Sequence, residues 1–132
     1  MVESFWAVPD IAGFRTPLAI LREQAAALTE GTNGALVGTV STSKIMYGAG
    51  GHSTDLALSL SVEVPALDDY AYRLLEYRQP VDLYPGTLSL SWEEGPLFIG
   101  DEIQFVSAIR SALSSDKVRR IMGSLLAQAT AA

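Results

Sequence analysis

Acid–base chemistry by histidine at neutral pH depends on one imidazole in this sequence. His52 is the only histidine in the chain, and it lies in the glycine-dense stretch from Gly48 to Thr54. Because imidazole is the side chain whose unperturbed pKa lies nearest to neutrality, a histidine general base here would have to be His52. No Gly-x-Ser-x-Gly nucleophile elbow accompanies it, and the stretch lacks the pattern of a nucleotide-binding loop. A hairpin loop with a solvated histidine is the favoured interpretation.

A second group of side chains could bind an anionic or aromatic ligand. Tyr72, Arg73, Tyr77 and Arg78 lie close together in the sequence, and guanidinium and phenol groups bind carboxylates and rings. On a regular strand Arg73 and Tyr77 would share one face, and Tyr72 and Arg78 would share the other. Core-edge tyrosines and solvated arginines explain the same residues without a ligand. The candidate ligand-binding residues are His52, Tyr72, Arg73, Tyr77 and Trp92.

Two apolar segments lie where polar loops would be expected. One runs from Phe5 to Pro9, and the other places Leu97, Phe98 and Ile99 between two glycines. Each segment either closes the core or protrudes as an anchor for another chain, and core closure is the simpler interpretation. As anchors, they would make the candidate partner-binding residues Phe5, Trp6, Leu97, Phe98 and Ile99.

The composition narrows the range of functions. The chain has 132 residues, 15 of them acidic and 9 basic, with a net charge of -6, one histidine and no cysteine. This length predicts one domain over residues 1–132, with a core from about residue 5 to residue 129. Without cysteine there are no disulfides, no thiol catalysis and no thiolate metal ligands. We predict no catalytic residues, no metal site and no cofactor.

The acidic balance disfavours nucleic acid and anionic membrane surfaces as partners. The exception is a short basic run of Lys117, Arg119 and Arg120, with Arg110 one helix earlier, and we expect these residues to pair with nearby acids. No signal peptide or membrane span is evident, since polar residues and Pro9 interrupt the apolar runs. The sequence predicts a soluble, cytoplasmic protein.

Local signals predict one helix followed by four strands. Thr16 and Pro17 begin a helix that ends near Glu30, because a hydroxyl can cap the first turn and proline fits the first helical position. Alternation of apolar residues predicts strands over 35–47 and 55–64. A further strand is predicted over 81–92, with a bulge at 84–86, because the apolar parity changes there.

The segment from 70 to 78 is ambiguous between strand and helix. Its apolar residues satisfy helical spacing as well as a strand pattern. The strand is favoured because three tyrosines raise strand preference and Pro80 keeps the segment short.

Two helices are predicted at the end of the chain. Asp101 and Gln104 have the form of a capping box, and the segment Ser114-Ser115-Asp116 ends this helix and caps a last helix with a clear apolar stripe. A run of strands followed by helices predicts an α+β fold. It comprises an N-terminal helix, a four-stranded, mainly antiparallel bent sheet, and two C-terminal helices packed on one face.

These observations favour a binding protein over an enzyme. The lack of a catalytic constellation, the acidic charge and the apolar segments predict a small protein that acts through protein–protein contacts, as an adaptor, chaperone or immunity-like protein. A second copy of the chain, forming a homodimer, is one candidate partner. In size and charge the chain is similar to small acidic secretion chaperones and toxin-neutralising immunity proteins, without a shared motif. The alternative is a pocket between sheet and helices that binds, or converts, a small anionic molecule.

Overall fold

The structure is a computed structural model, and it describes residues 3–51 and 53–132. Three helices and five strands are found in these residues, with short 3-10 turns at Ala49–Gly51 and Pro65–Leu67. In chain order they are α1 (Pro17–Gly31), β1 (Val37–Tyr47), β2 (Ser53–Val64), β3 (Tyr70–Gln79), β4 (Gly86–Leu90), β5 (Leu97–Ile99), α2 (Glu102–Leu113) and α3 (Asp116–Ala131). The strands form one antiparallel sheet in the order β1-β2-β3-β4-β5. The predicted α+β class is confirmed.

The predicted number of strands is wrong by one. Leu97–Ile99, predicted as a loop, is the short strand β5, which pairs with β4 through Gly86 and Ile99 and through Leu88 and Leu97. The preceding strand is also shorter than predicted, because β4 begins only at Gly86 and ends at Leu90. The proposed bulge at 84–86 therefore does not lie within a strand.

The bulge of this sheet lies in β3, at Leu74. Leu60 and Ser61 of β2 pair with Leu75 and Arg73, so Leu74 has no partner opposite it. A bulged residue shifts the alternation of faces by one position, and here it allows both Leu74 and Leu75 to be buried. The interpretation of residues 70–78 as a strand is confirmed. The bulge predicted at 84–86 is wrong in position, because the sheet has its bulge in β3.

The helices pack on one face of the sheet and share one core. It joins Ile20 and Leu21 of α1, Phe105 of α2 and Leu125 of α3 to the alternating apolar residues of β2. Those strand residues are Leu58, Leu60, Val62 and Val64. The alternation in β2 therefore had the predicted cause, a strand with one buried face.

Contact between α1 and β1 is close enough to require a glycine. A Cβ atom on Gly38 would lie 2.5 Å from the carbonyl oxygen of Ala25. The backbone N–H of Gly38 donates to the Thr29 hydroxyl at 3.0 Å. The missing side chain thus lets the helix lie directly on the sheet.

The predicted helix starts are confirmed by their caps. The Thr16 hydroxyl accepts from the N–H of Ala19 at 3.1 Å, and Pro17 follows it. Asp101 accepts from the N–H of Gln104 at 2.8 Å, and Ser115 accepts from that of Val118 at 3.2 Å. Each cap satisfies a backbone donor that has no partner within its own helix.

Candidate functional site

Residues 3–14, which we call the apolar arm, lie outside the core. No helix or strand is assigned in this segment. Its one turn is closed by a hydrogen bond that the backbone N–H of Phe14 donates to the carbonyl oxygen of Ile11 at 3.0 Å. Phe5 is 91% exposed and Trp6 is 86% exposed. Core closure, the simpler interpretation of these residues, is therefore wrong. The large exposed apolar residues of the arm are Phe5, Trp6, Val8, Ile11 and Phe14.

The end of the apolar arm is attached to α1 by an ion pair. Arg15 lies 3.1 Å from Glu23, and both side chains are about half exposed. Because exposed pairs of this kind contribute roughly 0–1 kcal/mol, this ion pair attaches Arg15, the residue after the arm, only weakly to α1.

The second apolar segment divides between core and surface. Ile99 is 3% exposed and belongs to the core, whereas Phe98 beside it is 72% exposed. Leu97 is half exposed, and Ile103 in the first turn of α2 is largely exposed. We call Leu97, Phe98 and Ile103 the β5 edge. Because β5 is the last strand of the sheet, one side of it has no strand partner in the described chain.

The bulge at Leu74 rearranges the cluster of tyrosines and arginines on β3. Arg73 pairs with Ser61 across the strands and Arg78 with Ala57, on the face away from the helices. Tyr72 and Tyr77 both lie on the helix-covered face and contact the core. The prediction that Arg73 and Tyr77 share a face is therefore wrong, because an unpaired residue lies between them.

Both arginines on the open face form ion pairs. Arg73 lies 2.9 Å from Glu76, and Arg78 lies 2.8 Å from Asp55. The Arg78 guanidinium also lies 5.6 Å from the centre of the Tyr47 ring, a cation–π contact. Both arginines therefore already have partners within the chain.

The candidate ligand-binding residues do not converge on one pocket. Tyr77 is fully buried and donates to the carbonyl oxygen of Leu83 at 2.8 Å. Trp92 is half-buried against the core, and Arg73 lies on the open face. Tyr72 alone of the described candidates lines a surface cleft. His52 lies outside the described residues.

The residues that accompany Tyr72 in this cleft are not among the predicted site residues. The cleft between β3 and α3 is also lined by Tyr70, Lys117 and Arg120. The sequence predicts that the basic run pairs with acids, but among the described residues only Arg119 of this run does so, lying 3.4 Å from Asp116. The spacing of Lys117 and Arg120 was the available signal, because residues three apart share one side of a helix.

The strongly shifted pKa values in the described residues belong to one core tyrosine, Tyr77, and to Tyr84, which packs against the core. Burial, with a smaller contribution from Glu102 and Asp101, raises the pKa of Tyr84 to about 12. Burial and the neighbouring Tyr84 also raise the pKa of Tyr77. Both phenols pack against Phe105, and the shifts make their ionisation still less favourable than that of an exposed tyrosine. Neither shift points to acid–base catalysis.

Comparisons with known proteins add no identification: no family model, curated protein or solved structure matches this chain. Within the described residues, no helix has the length and apolarity needed to cross a membrane. The same part of the chain contains no group of three or more histidine, aspartate and glutamate side chains placed to hold a metal ion.

Proposed function

We propose that this protein is a non-enzymatic binding protein that acts through protein–protein contacts, and that a second copy of its own chain is a partner. One observation carries the proposal. Most of the large exposed apolar side chains in the described residues belong to two groups, the apolar arm and the β5 edge. Exposed apolar groups of this kind are typical of interaction surfaces.

The energy available from the arm alone is close to the cost of association. Aromatic side chains bury about 150–250 Å² each, so Phe5 and Trp6 together could bury about 300–500 Å². At roughly 25 cal/mol per Å² this contributes on the order of 10 kcal/mol. The loss of translational and rotational freedom costs about 4–15 kcal/mol. The arm of one copy is therefore not sufficient by itself, and stable pairing needs a further surface, for which the β5 edge is the candidate.

Net charge sets the conditions under which two copies associate. Each chain carries a net charge of -6, so two copies repel each other over a distance. Added salt screens this repulsion while leaving apolar burial intact. Self-association through these surfaces should therefore strengthen as the salt concentration rises.

We test the proposal by measuring solution mass with light scattering over a range of protein and salt concentrations. The unmodified chain should reach twice its 14.1 kDa mass. Phe5→Ser with Trp6→Ser, or Phe98→Ser alone, should return the mass to that of one chain, because neither surface suffices without the other.

Val81→Ser is the matched control. Val81 is 91% exposed and lies in the β3–β4 loop, outside both surfaces, so this variant should associate like the unmodified chain. Partnership with a second copy is refuted by a mass of 14.1 kDa at every concentration. It is also refuted if Val81→Ser dissociates the pair as readily as the other substitutions.

A further inference from the structure

A cleft lies between the start of β3 and α3. Its volume is about 500 Å³, within the range of roughly 300–1,000 Å³ that small-molecule sites occupy. Leu67, in the turn before β3, and Ile121 and Leu125, on α3, give it an apolar lining. Leu125 is also a core residue, so the cleft is set into the packed junction of sheet and helix.

Two cations face this cleft. Lys117 and Arg120 line it from adjacent turns of α3. Neither forms an ion pair with any residue that the structure describes, whereas Arg119 between them pairs with Asp116. No acidic side chain lines the cleft. Positive charge is thus gathered at one place in a chain whose net charge is -6.

The wall opposite α3 is aromatic. Tyr70 and Tyr72 lie two positions apart on β3 and therefore point to the same side of the sheet. Tyr70 is 51% exposed, so half of its surface is not used in packing. The Tyr72 hydroxyl lies 3.1 Å from that of Ser91, a hydrogen bond that orients its ring. Aromatic rings beside cations suit a flat ligand that carries an acidic group.

We propose that this cleft binds a small aromatic anion. Its acidic group would lie at Lys117 and Arg120, and its ring would pack against Tyr70 and Ile121. An inorganic anion would leave the apolar lining uncovered, and an uncharged ring would leave both cations without a partner. The cleft shares no residue with the apolar arm or the β5 edge, so this proposal is independent of self-association.

The test compares two fluorescent probes. Anilinonaphthalene sulfonate is an aromatic anion, and phenylnaphthylamine is its uncharged analogue. The unmodified chain should bind the sulfonate more tightly, and the double variant Lys117→Gln, Arg120→Gln should weaken that binding by about tenfold or more, because charge-assisted hydrogen bonds are lost. Binding of the uncharged probe should not change.

Two controls separate the cleft from other apolar surfaces. Arg119→Gln removes a neighbouring cation that does not line the cleft and should leave sulfonate binding unchanged. Phe5→Ser with Trp6→Ser should also leave it unchanged, since the apolar arm is elsewhere. If the double variant does not fold, the salt dependence of binding to the unmodified chain provides the test. Added salt should weaken binding of the sulfonate and leave binding of the uncharged probe unchanged.

Five results would overturn the proposal, and the first four concern probe binding in the unmodified chain and its variants. They are failure of the unmodified chain to bind the sulfonate, equal binding of the two probes, unchanged binding in the folded double variant, and loss of binding in the arm variant. A salt-independent affinity for the sulfonate would count equally against it.

Discussion

Replacing Phe105 with alanine should lower the free energy of unfolding by about 3–5 kcal/mol, the range observed when a buried aromatic side chain is removed. Phe105 is fully buried, and its ring centre lies 4.7 Å from that of Tyr77 and 6.2 Å from that of Tyr84. Through these two rings, Phe105 of α2 packs against both β3 and the β3–β4 loop. Without this ring, a cavity would open beside the two phenols.

Urea denaturation of the variant measures this loss, and Phe14→Ala is its control. Phe14 is 64% exposed on the apolar arm, so removing its ring should change the free energy of unfolding by no more than about 0.5 kcal/mol. Similar losses in the two variants would contradict the packing described for α2.

Adjacent residues of β5 should respond in opposite ways to the same substitution. Ile99→Ala should cost about 2–5 kcal/mol, because Ile99 is a core residue that is 3% exposed. Phe98→Ala should cost no more than about 0.5 kcal/mol, because that side chain is 72% exposed. Thermal and urea unfolding at low protein concentration keep self-association from contributing to either value.

This pair of variants also assigns the two roles of the segment. If Ile99→Ala weakened the fold while Phe98→Ala weakened only self-association, one short strand would serve both core and contact surface. Equal destabilisation by both substitutions would place Phe98 in the core and remove it from the β5 edge.

Much of the fold could be predicted because its signals are local. The caps at Thr16, Asp101 and Ser115 depend on residues a few positions away, and each is present in the structure. The alternation from Leu56 to Val64 likewise needs only one strand and one buried face. Short stretches of sequence are therefore sufficient to predict such features.

The remaining features depend on contacts between distant parts of the chain. The bulge at Leu74 is defined only against β2, and no residue near it marks the change of register. β5 is three residues long, too short for alternation to distinguish it from a loop, and it exists through pairing with β4. Sequence spacing alone predicted that Arg73 and Tyr77 share one face of the sheet. They lie on opposite faces because the bulge at Leu74 lies between them.

The candidate site was predicted in part. The apolar residues of the arm and of the β5 edge were recognised by their composition, but burial depends on whether the rest of the chain reaches them. The rest of the chain leaves Phe98 exposed and buries Ile99. The cleft was missed because Lys117 and Arg120 come from α3 and the tyrosines from β3, far apart in sequence.

Fluorescence of Trp6 tests most directly whether the apolar arm is a contact surface. The chain has two tryptophans, so Trp92→Phe leaves Trp6 as the sole tryptophan, which can be excited selectively at wavelengths that tyrosine does not absorb. Quenching by acrylamide, measured as protein concentration rises, reports how far Trp6 is covered. We predict that quenching falls with increasing concentration, and that it stays high when Phe98→Ser is added. Quenching that remained high at every concentration, with Trp6 as open as its 86% exposure in one chain, would contradict the account.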